Sequence, residues 1–576
     1  MGRLVLSVRP ESIRQVHCGK VHKPHGVPSA PVSLPSTPSN PDPTPIWQQL
    51  CKLKNSIPVL KRVPRGARPS VAACLARCVS LVDRENSERA WERLLTFPYK
   101  ILHVQKNLAS KKTLTAQVKE NCNSPSTSFD PKFTAQFSHK GLLHHVESKL
   151  GEGDIRGAAR ILFSSDVVAP CSPETVAALE SKHPAASDDL SFPDPPAPES
   201  DNLSITANQL CAAVGSFRSG SAGGLDGLTP QHHKDLTCSS AGEAGESLLK
   251  ELTALINLML SGNVNGAVID VLYGANLCAL RKKDGGIRPI AVGCTYRRIA
   301  AKFGCAYYKE TLAAKFQPLQ LGFGSKGGCE AAVHALSTYV NSGKGEVILK
   351  VDIRNAFNSV NRDTLLTEVK NEIPKLYKFL WQCYRHSTKL LYKDQVLDSA
   401  VGCQQGDPLG PAIFSLAINP IIRQLNSKFN VWYLDDGILG GDADTVADDF
   451  RLLIQKFDSI GLQLNLSKCE IFIPDNNQQV FSKFQSIAPN LTVLEKSSLR
   501  LLGSPILDES FTSYINEKIQ NFNDVSERLY KISIHSAFTL IRTVFDRRAG
   551  CLENGYSQYG FARQPLLSET MGRAAL

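Results

Sequence analysis

Three aspartates are the first residues whose type and spacing could do chemistry. The run Val347-Ile348-Leu349-Lys350-Val351 reads as a strand and ends in Asp352, and a carboxylate closing an apolar strand needs a partner or a metal once buried. Eighty-three residues later (435 − 352) stands Tyr433-Leu434-Asp435-Asp436-Gly437, two adjacent acids between apolar neighbours. Adjacent side chains on a strand face opposite ways, so both acids reach one site only where the chain turns, as Gly437 allows. Carboxylates brought this close repel each other. A divalent cation relieves that repulsion, and two Mg²⁺ ions about 3.5–4 Å apart are the usual device for in-line phosphoryl displacement. An Asp-Asp-Gly alone is more often a solvated turn, and the strand-end Asp352 is what lifts the pair above that reading.

The elements that must position these acids are legible around them. Asn276–Lys283 and Ile287–Val292 are β-rich runs flanking Asp284-Gly285-Gly286, the pattern of a hairpin. Lys282 and Arg288 sit on its two arms, where cations can pair with a triphosphate, although a lone basic hairpin is more often solvated surface. Gln405-Gly406-Asp407-Pro408 leads into a helix opening at Pro411, a favoured first helical position. A second hairpin is expected about Asp435 and Asp436 within Val431–Leu439, with helices in the intervals. The fold class is therefore α+β, with antiparallel hairpins in one core.

Composition bounds the rest of the chain. The 576 residues include 65 Lys+Arg and 54 Asp+Glu, a net charge of +11. Residues 1–150 hold 23 basic and 9 acidic groups (+14), leaving 42 and 45 (−3) for 151–576, so a polyanion is the first partner to expect. No apolar run approaches the roughly 18–20 residues that span a bilayer, which argues against membrane insertion, and neither a signal peptide nor a myristoylation pattern is evident. The 16 cysteines are scattered and read as reduced thiols of an intracellular protein. His17, Cys18 and His22 lack a second ligand pair for zinc. Five segments are expected: a Pro-rich disordered tail over 1–45, a basic helical extension over 46–183, an acidic Pro-rich linker over 184–202, the mixed α/β body over 203–510, and a last segment over 511–576. Within the extension, Val71, Cys74, Leu75, Cys78 and Leu81 share a helical face, Asp154 can cap Ile155–Phe163, and Thr175 opens a helix at Val176.

Taken together, Lys350-Val351-Asp352-Ile353-Arg354-Asn355-Ala356-Phe357-Asn358-Ser359-Val360, then Gln405-Gly406-Asp407-Pro408-Leu409-Gly410-Pro411, then Tyr433-Leu434-Asp435-Asp436 look like the ordered catalytic blocks of reverse transcriptases from non-LTR retrotransposons. Leu225-Asp226-Gly227, Gly322-Phe323-Gly324, Leu464-Asn465-Leu466-Ser467-Lys468 and Leu502-Gly503-Ser504-Pro505 agree, so the resemblance spans about 205–510. It implies a right-hand polymerase with fingers, a ferredoxin-like palm and a partial thumb, preceded by a helical extension. The implied activity is RNA-directed DNA polymerisation on an RNA template and a DNA primer, with dNTP as substrate and two Mg²⁺ ions, Mn²⁺ being the alternative metal.

By the same resemblance Asp352 and Asp435 hold the metals with Asp436 assisting, and the Ile353 carbonyl is a further ligand. Lys282 and Arg288 meet the triphosphate, Gln405 and Gly406 line the nascent base pair, and Lys468 protonates the leaving pyrophosphate. Phe357 stands five positions after Asp352, where its ring would clash with a ribose 2′-OH, and so selects deoxynucleotides. Asn358 and Gly410 depart from the commonest pattern without removing a metal ligand. The short stretch after Gly503 suggests a cut-short thumb and a truncated or domesticated element. A catalytically silent nucleic-acid-binding relic is therefore the alternative reading, and an RNA-dependent RNA polymerase a weaker one that Phe357 opposes. Basic runs such as Lys52–Arg68 suit either a nuclear signal or a nucleic-acid-facing surface, which leaves the compartment between cytoplasm and nucleus.

Overall fold

The Val347–Val351 strand is buried on both faces, which explains why it reads as a continuous apolar run. Val347, Leu349 and Val351 enter the large core and Ile348 enters a second cluster with Ala332, Leu336, Phe429 and Phe472. Only Lys350 breaks the run, and its ammonium meets Glu470 on the neighbouring strand. In the computed structural model, which describes residues 45–103, 112–124, 142–164, 167–282, 284–343, 346–475 and 477–542, this strand lies at the centre of a five-stranded sheet. The spatial order is Thr492–Leu494, Glu470–Phe472, Val347–Val351, Asp436–Gly441, Phe429–Tyr433. All neighbours are antiparallel except the parallel pair 470–472 and 492–494.

With the helices Gly410–Ile422 and Ala443–Asp458 between them, four of these strands run strand-helix-strand-strand-helix-strand. Their spatial order is fourth, first, third, second, which is the ferredoxin-like arrangement. The expected palm is therefore present. Trp432, fully buried, packs edge-on against Phe457 of the second helix at 5.8 Å and fixes helix to sheet.

The expected fingers hairpin forms from Ala275–Arg281 and Ile287–Gly293 in full antiparallel register. The loop closes by Lys282 N–H donating to the Gly286 carbonyl at 2.8 Å, with Gly285 at φ +80°. The other edge of Ala275–Arg281 is shared between Thr388–Tyr392 and a two-residue strand, Val167–Val168. The extension over 46–183 is helical as expected, and this one short strand within it adds to the fingers sheet.

The extension is also not a separate body. Helix Arg68–Glu85 packs along Gly242–Leu260, and Val71, Leu75, Trp91 and Leu94 share one core with Leu248, Leu252 and Leu255. The expected helical faces are present, with Val71, Cys74 and Leu75 buried and Asp154 accepting from Gly157 N–H at 2.9 Å. The cap before the helix Pro173–Ser181 is Ser172 and not Thr175, because Pro173 pre-sets the first helical turn three residues earlier.

Residues 184–202 were expected to separate two domains, and here too the structure differs. The segment runs as a strap along the helices Arg362–Glu372 and Tyr377–Tyr384. Phe192 inserts between the Trp381 ring (6.4 Å) and the Arg385 guanidinium (4.1 Å). Tyr377 Oη donates to the Asp194 carbonyl at 2.6 Å, while Asp194 and Asp201 pair with Lys370 and Lys375 at 3.1 and 2.8 Å. Charge complementarity and one aromatic anchor hold a segment whose composition alone suggests a solvated linker. The C-terminal helices Asp508–Leu529 and Ile534–Leu540 close a small core with Ala158, Ala159 and Leu162 of the extension, where Arg528 Nη1 donates to the Leu162 carbonyl at 2.8 Å. The Pro-rich segment before residue 45 and the chain after 542 lie outside the described residues. Among the described residues, no helix is long and apolar enough to cross a membrane.

Candidate active site

All three aspartates come to one end of the palm sheet. Val351 pairs with Gly437, so Asp352 continues one central strand where its neighbour begins, and Tyr433 pairs with Asp436 across a two-residue turn, Leu434-Asp435. Leu434 adopts a left-handed φ of +57°, which is uncommon for a bulky residue. Beyond Asp352 the chain is held straight: Asn465 N–H donates to the Asp352 carbonyl at 2.8 Å, and Ile353 pairs with Leu464.

The electrostatics of Asp435 and Asp436 record the crowding at this end of the sheet. Asp435 is pushed above its ordinary value by burial and by the Asp352 carboxylate, with Lys282 and Arg288 acting the other way. Asp436 is raised to about 6 by desolvation and by the carboxylates of Asp435 and Asp352. Its side chain is nonetheless exposed to solvent, so the like-charge repulsion is the firmer of these causes. Oxygen donors that resist ionising beside one another are the donor set a hard divalent cation takes. No three His, Cys, Asp or Glu side chains among the described residues are gathered tightly enough to hold an ion as placed, so the carboxylates fit a metal by chemistry and by position in the fold.

Raised carboxylate values have a thermodynamic sign. A group whose folded pKa exceeds its unfolded value stabilises the fold fully below the unfolded pKa, and that contribution is lost as pH rises through the folded value. For Asp436 the window is about pH 4 to 6. We therefore expect Asp436→Asn to melt higher than wild type in EDTA at pH 7.5 and equally at pH 3.5. Mg²⁺ should raise the wild-type melting temperature more than that of the variant. A variant that melts lower than wild type in EDTA at pH 7.5 would contradict this.

The basic side of the site comes from three places. Lys282 and Arg288 on the fingers hairpin both bear on Asp435. Lys468 forms an ion pair with Asp284 of the hairpin turn at 3.0 Å and also feels Asp352, so it bridges palm and fingers. Lys182 is the member sequence reasoning missed. It follows the helix Pro173–Ser181, its carbonyl accepts from Asn355 Nδ2 at 2.9 Å, and its ammonium is pushed down by partial burial and by Lys282, Lys468 and Arg354. Lys182, Lys282, Lys468 and Arg354 lie within electrostatic reach of one another with Asp284 as the acid among them, an arrangement that suits an anion. Nothing local in the sequence marks Lys182, because its place depends on Leu179 packing against the fingers sheet and on Asn355, both contacts with distant parts of the chain.

Phe357 lies on the short helix Ala356–Ser359 and stacks on Phe414 of Gly410–Ile422, centroids 4.8 Å apart and planes at 26°. It is half-buried, a wall with one face supported from behind. In the Gln405-Gly406 loop, the Gln405 carbonyl accepts from Ala291 N–H at 2.7 Å. Gly406 has φ +126°, and a Cβ there would lie 2.3 Å from the Ala291 carbonyl. The close approach that Gly406 permits is thus to the fingers strand. The loop is anchored underneath by a buried cluster, in which Arg297 Nη2 pairs with Asp407 Oδ2 at 2.6 Å, Tyr384 Oη donates to the same oxygen at 3.1 Å, and Arg297 Nη1 donates to Gln404 Oε1 at 2.8 Å.

Comparison with known proteins agrees with this geometry. The family profile "Reverse transcriptase (RNA-dependent DNA polymerase)" matches residues 280–506. The "Retrotransposable element SLACS 132 kDa protein" of Trypanosoma brucei gambiense is 25% identical over 297 residues, covering 49% of this chain and 24% of that protein. The "Retrovirus-related Pol polyprotein from type-1 retrotransposable element R2" of Nasonia vitripennis is 28% identical over 148 residues, 24% of this chain and 14% of that protein. This chain thus spans about a quarter or less of the length of these curated relatives. Among solved structures, telomerase from Candida albicans aligns with a TM-score of 0.31 at 11% identity, over 53% of this chain and 60% of that one. Residues 280–506 thus match a reverse transcriptase model over the stretch that forms the ferredoxin-like palm and most of the fingers hairpin.

Proposed function

We propose that this chain catalyses RNA-templated DNA synthesis by nucleotidyl transfer. The observation that supports it most is the meeting of Asp352, Asp435 and Asp436 at one end of the palm with Lys282 and Arg288 of the fingers. Asp352 and Asp435 would hold two divalent cations, Mg²⁺ or Mn²⁺, with Asp436 and the Ile353 carbonyl assisting. When bound, such ions lower the pKa of a primer 3′-OH and neutralise a triphosphate. Lys282 and Arg288 bind triphosphate oxygens, and Lys182 adds charge at the same edge. Lys468, held protonated by Asp284 and Asp352, donates its proton to the departing pyrophosphate. Positioning and charge carry the rate, since phosphoryl chemistry asks for little covalent work from protein. The template RNA, DNA primer and dNTP belong to this proposal. So does an intracellular setting, cytoplasmic or nuclear, to which the unpaired cysteines of the described residues are suited.

Phe357 provides the test of substrate class. Its ring is backed by Phe414 and cannot retreat from a 2′-OH without unstacking. Phe357→Val is expected to raise incorporation of rNTP relative to dNTP by about 10- to 200-fold, the range a single steric group commands in a pocket. Competitive extension of a DNA primer on an RNA template reads this ratio. An unchanged ratio would remove Phe357 from sugar selection, and template binding without extension by either nucleotide would favour the silent relic.

A further inference from the structure

The turn that presents Asp435 is held by a residue from outside the acidic blocks. Gln320 is fully buried and uses both ends of its amide: Oε1 accepts from Leu434 N–H at 2.8 Å and from Gly322 N–H at 2.9 Å, while Nε2 donates to the Leu434 carbonyl at 3.0 Å. Both backbone polar groups of Leu434 are thus taken by one side chain. The surrounding backbone locks that side chain in place. Leu321 N–H donates to the Trp432 carbonyl at 2.8 Å and Trp432 N–H to the Leu319 carbonyl at 2.6 Å, so 319–321 acts as an added edge beside Phe429–Tyr433. Gly322 closes the contact, since a Cβ there would lie 2.6 Å from Leu434 N and from Leu434 Cγ.

A left-handed bulky residue persists only where its surroundings over-determine it. At Leu434 those surroundings are the Gln320 amide and the bare backbone of Gly322. We propose that Gln320 is a positioning residue that locks the Leu434-Asp435 turn, and thereby sets where the Asp435 carboxylate stands relative to Asp352. The proposal rests on the reading of Asp435 as a metal-holding acid. Gln320 touches no reacting atom and acts through the backbone of Leu434.

The strain also supplies the test. Glycine adopts a positive φ freely, so a turn carrying Leu434→Gly no longer needs to be held. In the full chain, Gln320→Met should weaken Mn²⁺ binding, read by electron paramagnetic resonance, several-fold, and should slow single-turnover extension by about 10²-fold, the cost of a misplaced group near the chemistry. In a Leu434→Gly background the same substitution should have at most a few-fold effect on either readout. If Gln320→Met does not fold, Gln320→Glu removes only the donor to the Leu434 carbonyl, with smaller losses in the same direction and the same relief by Leu434→Gly. Wild-type Mn²⁺ binding and rate in Gln320→Met, or equal losses in both backgrounds, would overturn the lock. Wild-type Mn²⁺ binding in an Asp435→Asn control would instead overturn the metal-site reading beneath it, so the two failures are distinguishable.

Discussion

Asp435→Asn is expected to abolish primer extension, by at least about 10³-fold, the equivalent of the several kcal/mol that a metal-held transition state supplies. Asparagine keeps the size of the side chain and one oxygen but not the charge. The turn should survive, because Leu434 and not Asp435 carries the hydrogen bonds to Gln320. Removing a carboxylate whose charge burial and Asp352 disfavour also relieves repulsion in the metal-free protein, so the variant should fold at least as well as wild type. Template-primer affinity, read by fluorescence anisotropy, should stay nearly unchanged. Loss of extension with retained binding and folding would assign Asp435 to the chemistry, and retained extension would remove it.

The second large effect lies beneath the site. Arg297 and Asp407 are both buried and pair at 2.6 Å. Burial works against the Arg297 charge, but Asp407, together with Tyr384 and Cys383, outweighs it and holds the guanidinium well above its ordinary value. Arg297→Met would leave the Asp407 carboxylate buried with Tyr384 Oη and Leu409 N–H as its remaining donors. Breaking a buried ion pair from one side costs about 3–5 kcal/mol, whereas replacing both partners with apolar residues is often close to neutral. Arg297→Met alone should therefore lower the urea midpoint strongly, and Arg297→Met with Asp407→Leu should recover much of it. A single-variant loss below about 1 kcal/mol would mean that the pair is already solvated. Because Asp407 follows Gly406 directly, the weakened variant should also loosen the contact between Gln405 and Ala291.

How far the sequence foretold this site depends on the range of the interactions involved. Asp352, Asp435 and Asp436 were legible because each closes or turns a strand whose apolar period is local, and the fingers hairpin was legible from Asp284-Gly285-Gly286. The long helix of the extension was likewise visible from the spacing of Val71, Cys74 and Leu75. What escaped was set by contacts across long stretches of chain. Val167–Val168 is too short to read as a strand until Leu280 and Arg281 pair with it, and Lys182 is held at the site by the packing of Leu179 on the fingers sheet and by Asn355 far along the chain. The strap 184–202 has the composition of a linker, and its order comes from Phe192 and from lysines on helices far along the chain. Gln320 carries no local signal, since a buried glutamine is recognisable only when the turn it serves is in view. Gly406 was legible as part of a loop lining the site, but its close contact with the Ala291 carbonyl was not.

The most direct measurement is single-nucleotide extension by the purified full chain on a DNA primer annealed to an RNA template, with one complementary dNTP. Parallel reactions contain Mg²⁺, Mn²⁺ or EDTA. The account predicts a primer lengthened by one deoxynucleotide with either metal and no product in EDTA. A folded protein that binds the template-primer and leaves it unextended in both metals would contradict it.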